Sequence, residues 1–106
     1  MQSGDSCRSQ EDAGRLIREC LQNGRIVLTR YFQRELDKEG LSIVDAQTVI
    51  GRGYVFEEPE RDTSTGKWKY QMTGTAPDGQ FVVIHFCFNS DDEAVLLTVF
   101  GDQSSH

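Results

Sequence analysis

The stretch KWKYQMTGTAPDGQFVVIHFCFN, residues 67–89, decides how the chain is read. On both sides of Ala76-Pro77-Asp78-Gly79 apolar and polar residues alternate, the period of a strand rather than of a helix. Pro-Asp-Gly between two such runs suits a three-residue hairpin, in which a type I turn is followed by a left-handed Gly79 that forms a bulge. That geometry pairs Ala76 with Gln80. Counting back, Met72 lies opposite Ile84, Tyr70 opposite Phe86 and Trp68 opposite Phe88, which makes one strongly apolar face. The other face carries Thr73 opposite Val83, Gln71 opposite His85 and Lys69 opposite Cys87. A slip of one residue would set Lys67 and Lys69 against Phe88 and Phe86 and split the apolar set, so it is rejected.

Working outward, Tyr54-Val55-Phe56-Glu57 reads as the first strand of the same sheet, and Ala94 to Phe100 as the last, after the polar loop Ser90-Asp91-Asp92-Glu93. The charged run Glu57, Glu58, Glu60, Arg61 and Asp62 reads as a solvated loop. Three helices come earlier. Ala13, Leu16, Ile17, Cys20 and Leu21 fall on one helical stripe, with Ser9 to cap it and Asn23-Gly24 to end it. Thr29 caps a second helix carrying Tyr31, Phe32 and Leu36 inward, with Gly40 just past its end. Ser42 and Asp45 resemble a capping box for a third, whose buried face is Ile43, Ala46, Val49 and Ile50 and which stops at Gly51-Arg52-Gly53. Arg25-Ile26-Val27-Leu28 reads as a short edge strand. The expected fold is α+β, with about three helices packed on one face of a four- to five-stranded antiparallel meander sheet.

Composition bounds the rest. A chain of 106 residues has room for one core, expected over residues 9–102 with polar tails at 1–8 and 103–106. No apolar run approaches the roughly 20 residues of a membrane span, and the first residues carry neither a basic start nor an apolar segment of a secretory signal. Three cysteines, an odd number without metal-type spacing, fit free thiols in a reducing cytoplasm. A formal charge of −6 argues against a broad nucleic-acid surface, although Arg25, Arg30 and Arg34 cluster locally.

Among groups that can carry chemistry, His85 stands out. If Val95, Leu97 and Val99 join the helix-facing core, Thr98 falls beside His85, giving a row Gln71, His85, Thr98 that, with Lys69 nearby, can bind a small polar ligand or hold a general base. No carboxylate is placed to orient the imidazole, and a mid-strand histidine between Gln and Thr also fits a structural role. Cys87 reads as a packed thiol. Asp91-Asp92-Glu93 lacks the spaced oxygen ligands of a metal loop, so neither metal nor cofactor is expected. Phe81, Val83, Leu96 and Phe100 fall on the same mixed face as His85. That face is either covered by the first helix or left as a surface for a protein partner or a second copy of the chain.

The order short strand, helix, helix, antiparallel meander resembles the fold of RelE-like toxins, ribonucleases found on mobile elements. More specifically, Thr29 to Ser42, the hairpin at Asp78-Gly79 and the terminal Thr98-Val99-Phe100 are similar to a family of short uncharacterised bacterial domains grouped with that fold, over residues 25–101. In that family the helix begins with a Ser-x-His-Ala type motif and ends with an Arg-Gly-Ile-Ser type motif. Here the matching stretches are Thr29-Arg30-Tyr31-Phe32 and Glu39-Gly40-Leu41-Ser42, so Tyr31 takes the histidine position and Glu39 the arginine position. The resemblance implies an accessory, non-enzymatic binding protein of a bacterial mobile element. Its alternative is an RNA-cleaving toxin with His85 as acid/base and Tyr31, Arg30 and Arg34 beside it.

Overall fold

The computed structural model describes residues 7–63 and 65–102. Residues 1–6 and 103–106 of the expected tails lie outside the described residues. Arg8, assigned above to the first tail, is held in place. Its N–H donates to the Tyr70 hydroxyl at 2.9 Å, and its guanidinium pairs with Asp91 at 2.6 Å and lies 5.4 Å from the centre of the Phe88 ring.

The elements are α1 (Gln10–Asn23), β1 (Arg25–Leu28), α2 (Arg30–Lys38), α3 (Ile43–Arg52), β2 (Tyr54–Arg61), β3 (Trp68–Thr75), β4 (Phe81–Ser90) and β5 (Glu93–Asp102). The helices begin where side chains replace missing helical acceptors. Ser9 accepts from the Asp12 N–H, Thr29 from Phe32, and Ser42 and Asp45 form the reciprocal capping box. The hairpin turn is the one the sequence requires, with Gly79 at φ 94° and the Ala76 N–H bonded to Gln80 at 2.8 Å. Gly53, which ends α3, permits a close approach of another kind. A Cβ there would press into the backbone carbonyl oxygens of Thr73 and Val49.

The sheet order is β1-β5-β4-β3-β2. Strands β2 to β5 form the antiparallel meander, but β1 pairs with β5 in parallel, Ile26 with Ala94 and Leu28 with Leu96, so the sheet is mixed. A parallel neighbour needs a long crossover, and here all of α2, α3 and the meander supply it. Gln71 faces His85, Met72 faces Ile84 and Tyr70 faces Phe86, as the alternation requires.

All three helices lie on the Met72, Ile84 and Phe86 side, where Ile17, Phe32, Val49, Ile50, Leu96 and Val99 complete one buried cluster. Truncating a fully buried side chain such as Phe86 to Ala removes about 3–5 kcal/mol. None of the helices among the described residues is long and apolar enough to cross a membrane.

Four expectations are corrected. The run from Glu57 to Arg61 is strand, not loop. Its register jumps between Phe56 and Glu60 around Glu57 at φ 67°, and an exposed edge accepts these charges. Tyr31 and Ile43 point outward, 56% and 46% exposed, because the inward arc of each short helix is narrower than its apolar set. Val95 and Leu97 do not join the helix side. A bulge at Leu97 shifts the β4–β5 register, so that His85 faces Thr98 while Phe86 faces Leu96. An extra residue inverts the alternation upstream of it, so Ala94 and Leu96 point to the helices and Val95 away from them. Leu96, placed above on the mixed face, is therefore a core residue, 1% exposed.

Candidate functional site

Pairing across β2 to β5 assembles two adjacent rows on the face opposite the helices. The first is Tyr54, Thr73, Val83 and Phe100, and the second is Phe56, Gln71, His85 and Thr98. Side chains in such rows sit about 5 Å apart, within contact reach of one another. Thr73 and Val83 are buried by their neighbours, and Thr73 uses its hydroxyl on the Val82 carbonyl at 3.1 Å. The aromatic ends stay open, with Tyr54 62% and Phe100 41% exposed, and Phe81 beside them 40% exposed. Because α1 packs into the cluster on the helix side, the face is uncovered among the described residues.

At the centre stands His85. Its ring meets Phe100 edge-on at 5.6 Å, and its Nε2 is buried without a hydrogen-bond partner among the described residues. Burial, and then the Lys69 ammonium, lower its pKa below the ordinary imidazole value, with Glu60 opposing them. Lys69 itself pairs with Glu60 at 3.8 Å. The imidazole is therefore neutral near pH 7 and, among the described residues, has no carboxylate hydrogen-bonded to it. Cys87 is buried, and that burial raises its thiol pKa, so it is held as the unreactive thiol.

Gln71, His85 and Thr98 are thus brought together, as are Phe81, Val83 and Phe100 around them. Arg30, Tyr31 and Arg34 are not joined to them. They are exposed on α2, and the charges acting on His85 come from Lys69 and Glu60 instead. α2 lies along the β5 edge, where Thr29 donates to the Leu96 carbonyl at 3.0 Å and Glu39 accepts from the Gly101 N–H at 3.1 Å. Glu39, which takes the arginine position of the family resemblance, has this structural task. Tyr54 and Phe56 were not assigned to the face from sequence. Their spacing around the buried Val55 was the available signal.

Neither a family profile, nor a curated protein, nor a solved structure matches the chain significantly. A cleft of about 830 Å³ lies between the start of α1 and β2, lined by Arg8, Gln10, Arg18 and Glu58 among others. Its polar groups are partly engaged, with Arg18 donating to the Gly53 carbonyl and Gln10 to that of Glu57. The open sheet face, by contrast, carries the exposed aromatic rings of Tyr54, Phe81 and Phe100.

Proposed function

We propose that the protein is a non-enzymatic interaction module that pairs with a second copy of itself through the open face of β2 to β5. The observation that carries this reading is the row Tyr54, Thr73, Val83, Phe100. Its interior is already dry, and its aromatic ends, with Phe81, are left in water. A strand spacing of about 4.8 Å and a rise of about 3.3 Å per residue give the face on the order of 600 Å², comparable with the roughly 800 Å² that each partner contributes to a standard interface. At the rim of the face Lys69 pairs with Glu60, and Arg25 with Glu93 at 3.6 Å, within the chain. Two copies can therefore pack sheet on sheet with these four charges already paired. A two-fold arrangement would stack the aromatic ends of one row over the apolar centre of the other.

The ribonuclease reading draws less support. An acid/base histidine needs a group to hold its tautomer and cations near the scissile phosphate, whereas the His85 Nε2 is closed off beside Phe100 and the α2 arginines act elsewhere. Light scattering on the wild type and on Phe100→Asp, with circular dichroism on both, tests the proposal. The expected result is a dimeric wild type and a folded, monomeric variant. A wild type that stays monomeric up to high concentration removes the self-pairing reading.

A further inference from the structure

A second surface lies at the opposite end of the sheet, on β1. Strand β1 is terminal, and its backbone alternates. The Arg25 N–H donates to Asp92 at 2.8 Å and the Thr29 N–H to Leu96 at 3.3 Å, so the odd-numbered residues bond inward to β5. The main-chain groups of Ile26 and Leu28 then face outward. Gln33 donates to the Leu28 carbonyl at 3.2 Å, which leaves the Ile26 N–H and C=O and the Leu28 N–H along the edge with no partner among the described residues. Beneath this edge is an apolar cleft of about 110 Å³, bounded by Leu21, Ile26, Leu28, Phe32, Ile43 and Ile50. Ile43 and, next to it, Val44 are exposed at 46% and 62%. Charge is segregated here as well. Residues 25–34, RIVLTRYFQR, hold three arginines and no acid in a chain of net charge −6. Arg30 and Arg34 are exposed and have no ion-pair partner among the described residues.

We infer that the β1 edge is a docking site for an extended, acidic segment of a partner protein, added as a sixth strand. Three features select that occupant. The open backbone groups call for an extended chain, because only a strand presents its own N–H and C=O at matching spacing. The cleft accepts one apolar side chain at the alternate positions that point toward the helices. Arg25 is engaged by Glu93, whereas Arg30 and Arg34, just past the end of β1, favour Asp or Glu in the flanking positions and disfavour a basic strand. At the other edge, β2 carries a bulge, Pro59 and acidic side chains, features that discourage strand addition. This inference does not rest on the self-pairing of the open face, which is a separate surface.

The test is an NMR titration of the full-length, isotope-labelled protein with a blocked synthetic heptapeptide, Glu-Leu-Glu-Ile-Glu-Leu-Glu, and with its counterpart in which every Glu is Lys. The acidic peptide is expected to shift amides of β1, the start of α2 and the Ile43 turn, and to bind at least about fivefold more tightly than the basic one. Arg30→Glu with Arg34→Glu, both on the exposed side of α2, should reverse that preference while the rest of the spectrum is unchanged. N-methylation of alternate peptide amides should abolish binding in one phase and not in the other. Absence of shifts at β1 with millimolar acidic peptide, equal binding of the two peptides, or shifts confined to the β2–β5 open face would each overturn the inference.

Discussion

His85 and the cysteines show how the same burial gives different residues testable signatures. The folded protein holds the imidazole pKa below its ordinary value, chiefly by desolvation. The unfolded chain therefore takes up the proton first as pH falls below about 6.5, so stability declines through that window and levels off once the folded form also protonates. Urea denaturation at about pH 7.5 and about pH 5.5 should show this loss in the wild type, with a smaller loss in His85→Gln, because most carboxylates titrate lower. An equal pH slope in the two proteins would contradict the burial argument. For the thiols, Cys7 is exposed while Cys20 and Cys87 are buried with pKa values raised by desolvation. A disulfide reagent should label one thiol rapidly in the native protein and three in urea. A second rapid thiol would mean that Cys20 or Cys87 is more open than its packing indicates.

At the scale of elements, the junction of β1 and α2 carries most of the architecture of the edge. Thr29 caps α2 through the Phe32 N–H at 3.1 Å and donates to the Leu96 carbonyl at 3.0 Å, so one hydroxyl ties the helix start to the strand it flanks. Thr29→Ala should lower stability by about 1–2 kcal/mol, and Thr29→Ser by much less, as read from denaturation midpoints. Equal costs would assign the role to the threonine methyl rather than its oxygen. Glu39 closes the far end of the same edge on Gly101. Between them, β1 and α2 divide the β5 edge, the strand covering its first half by main-chain pairing and the helix its second half by side-chain bonds. The charged residues of β2 make sense at this scale too, since an edge strand with a bulge can carry Glu58 and Glu60 into water while Val55 remains in the core.

For the whole molecule, net charge and the open face act in opposite directions on association. Two copies at −6 repel, and added salt screens that repulsion without weakening apolar contact. The dimer dissociation constant, measured by sedimentation from about 0.05 to about 0.5 M salt, should therefore fall as salt rises. A constant that rises with salt would place the interface among the charged groups instead of on Tyr54, Phe81 and Phe100. Peptide docking at β1 should show the opposite trend, because attraction to Arg30 and Arg34 is screened. The two surfaces are thus separable by ionic strength alone.

Alternation through residues 67–89 and the Pro-Asp-Gly turn determined the central hairpin, its register and its apolar face, because a period of two cannot be moved by one residue without exposing Phe86 and Phe88. Caps at Ser9, Thr29 and Ser42 likewise determined where each helix starts, since those bonds are local. The row Gln71, His85, Thr98 was legible for a different reason, the bulge having left its downstream register intact. Leu96 was not legible. Nothing local to it announces the extra residue at Leu97, which is decided by how β5 meets both β4 and the parallel β1. The parallel placement of β1, the position of α1 on the helix side and the separation of Arg30, Tyr31 and Arg34 from His85 are also matters of tertiary packing. They depend on contacts between residues far apart in the chain, and it is those contacts that leave the sheet face and the β1 edge open among the described residues.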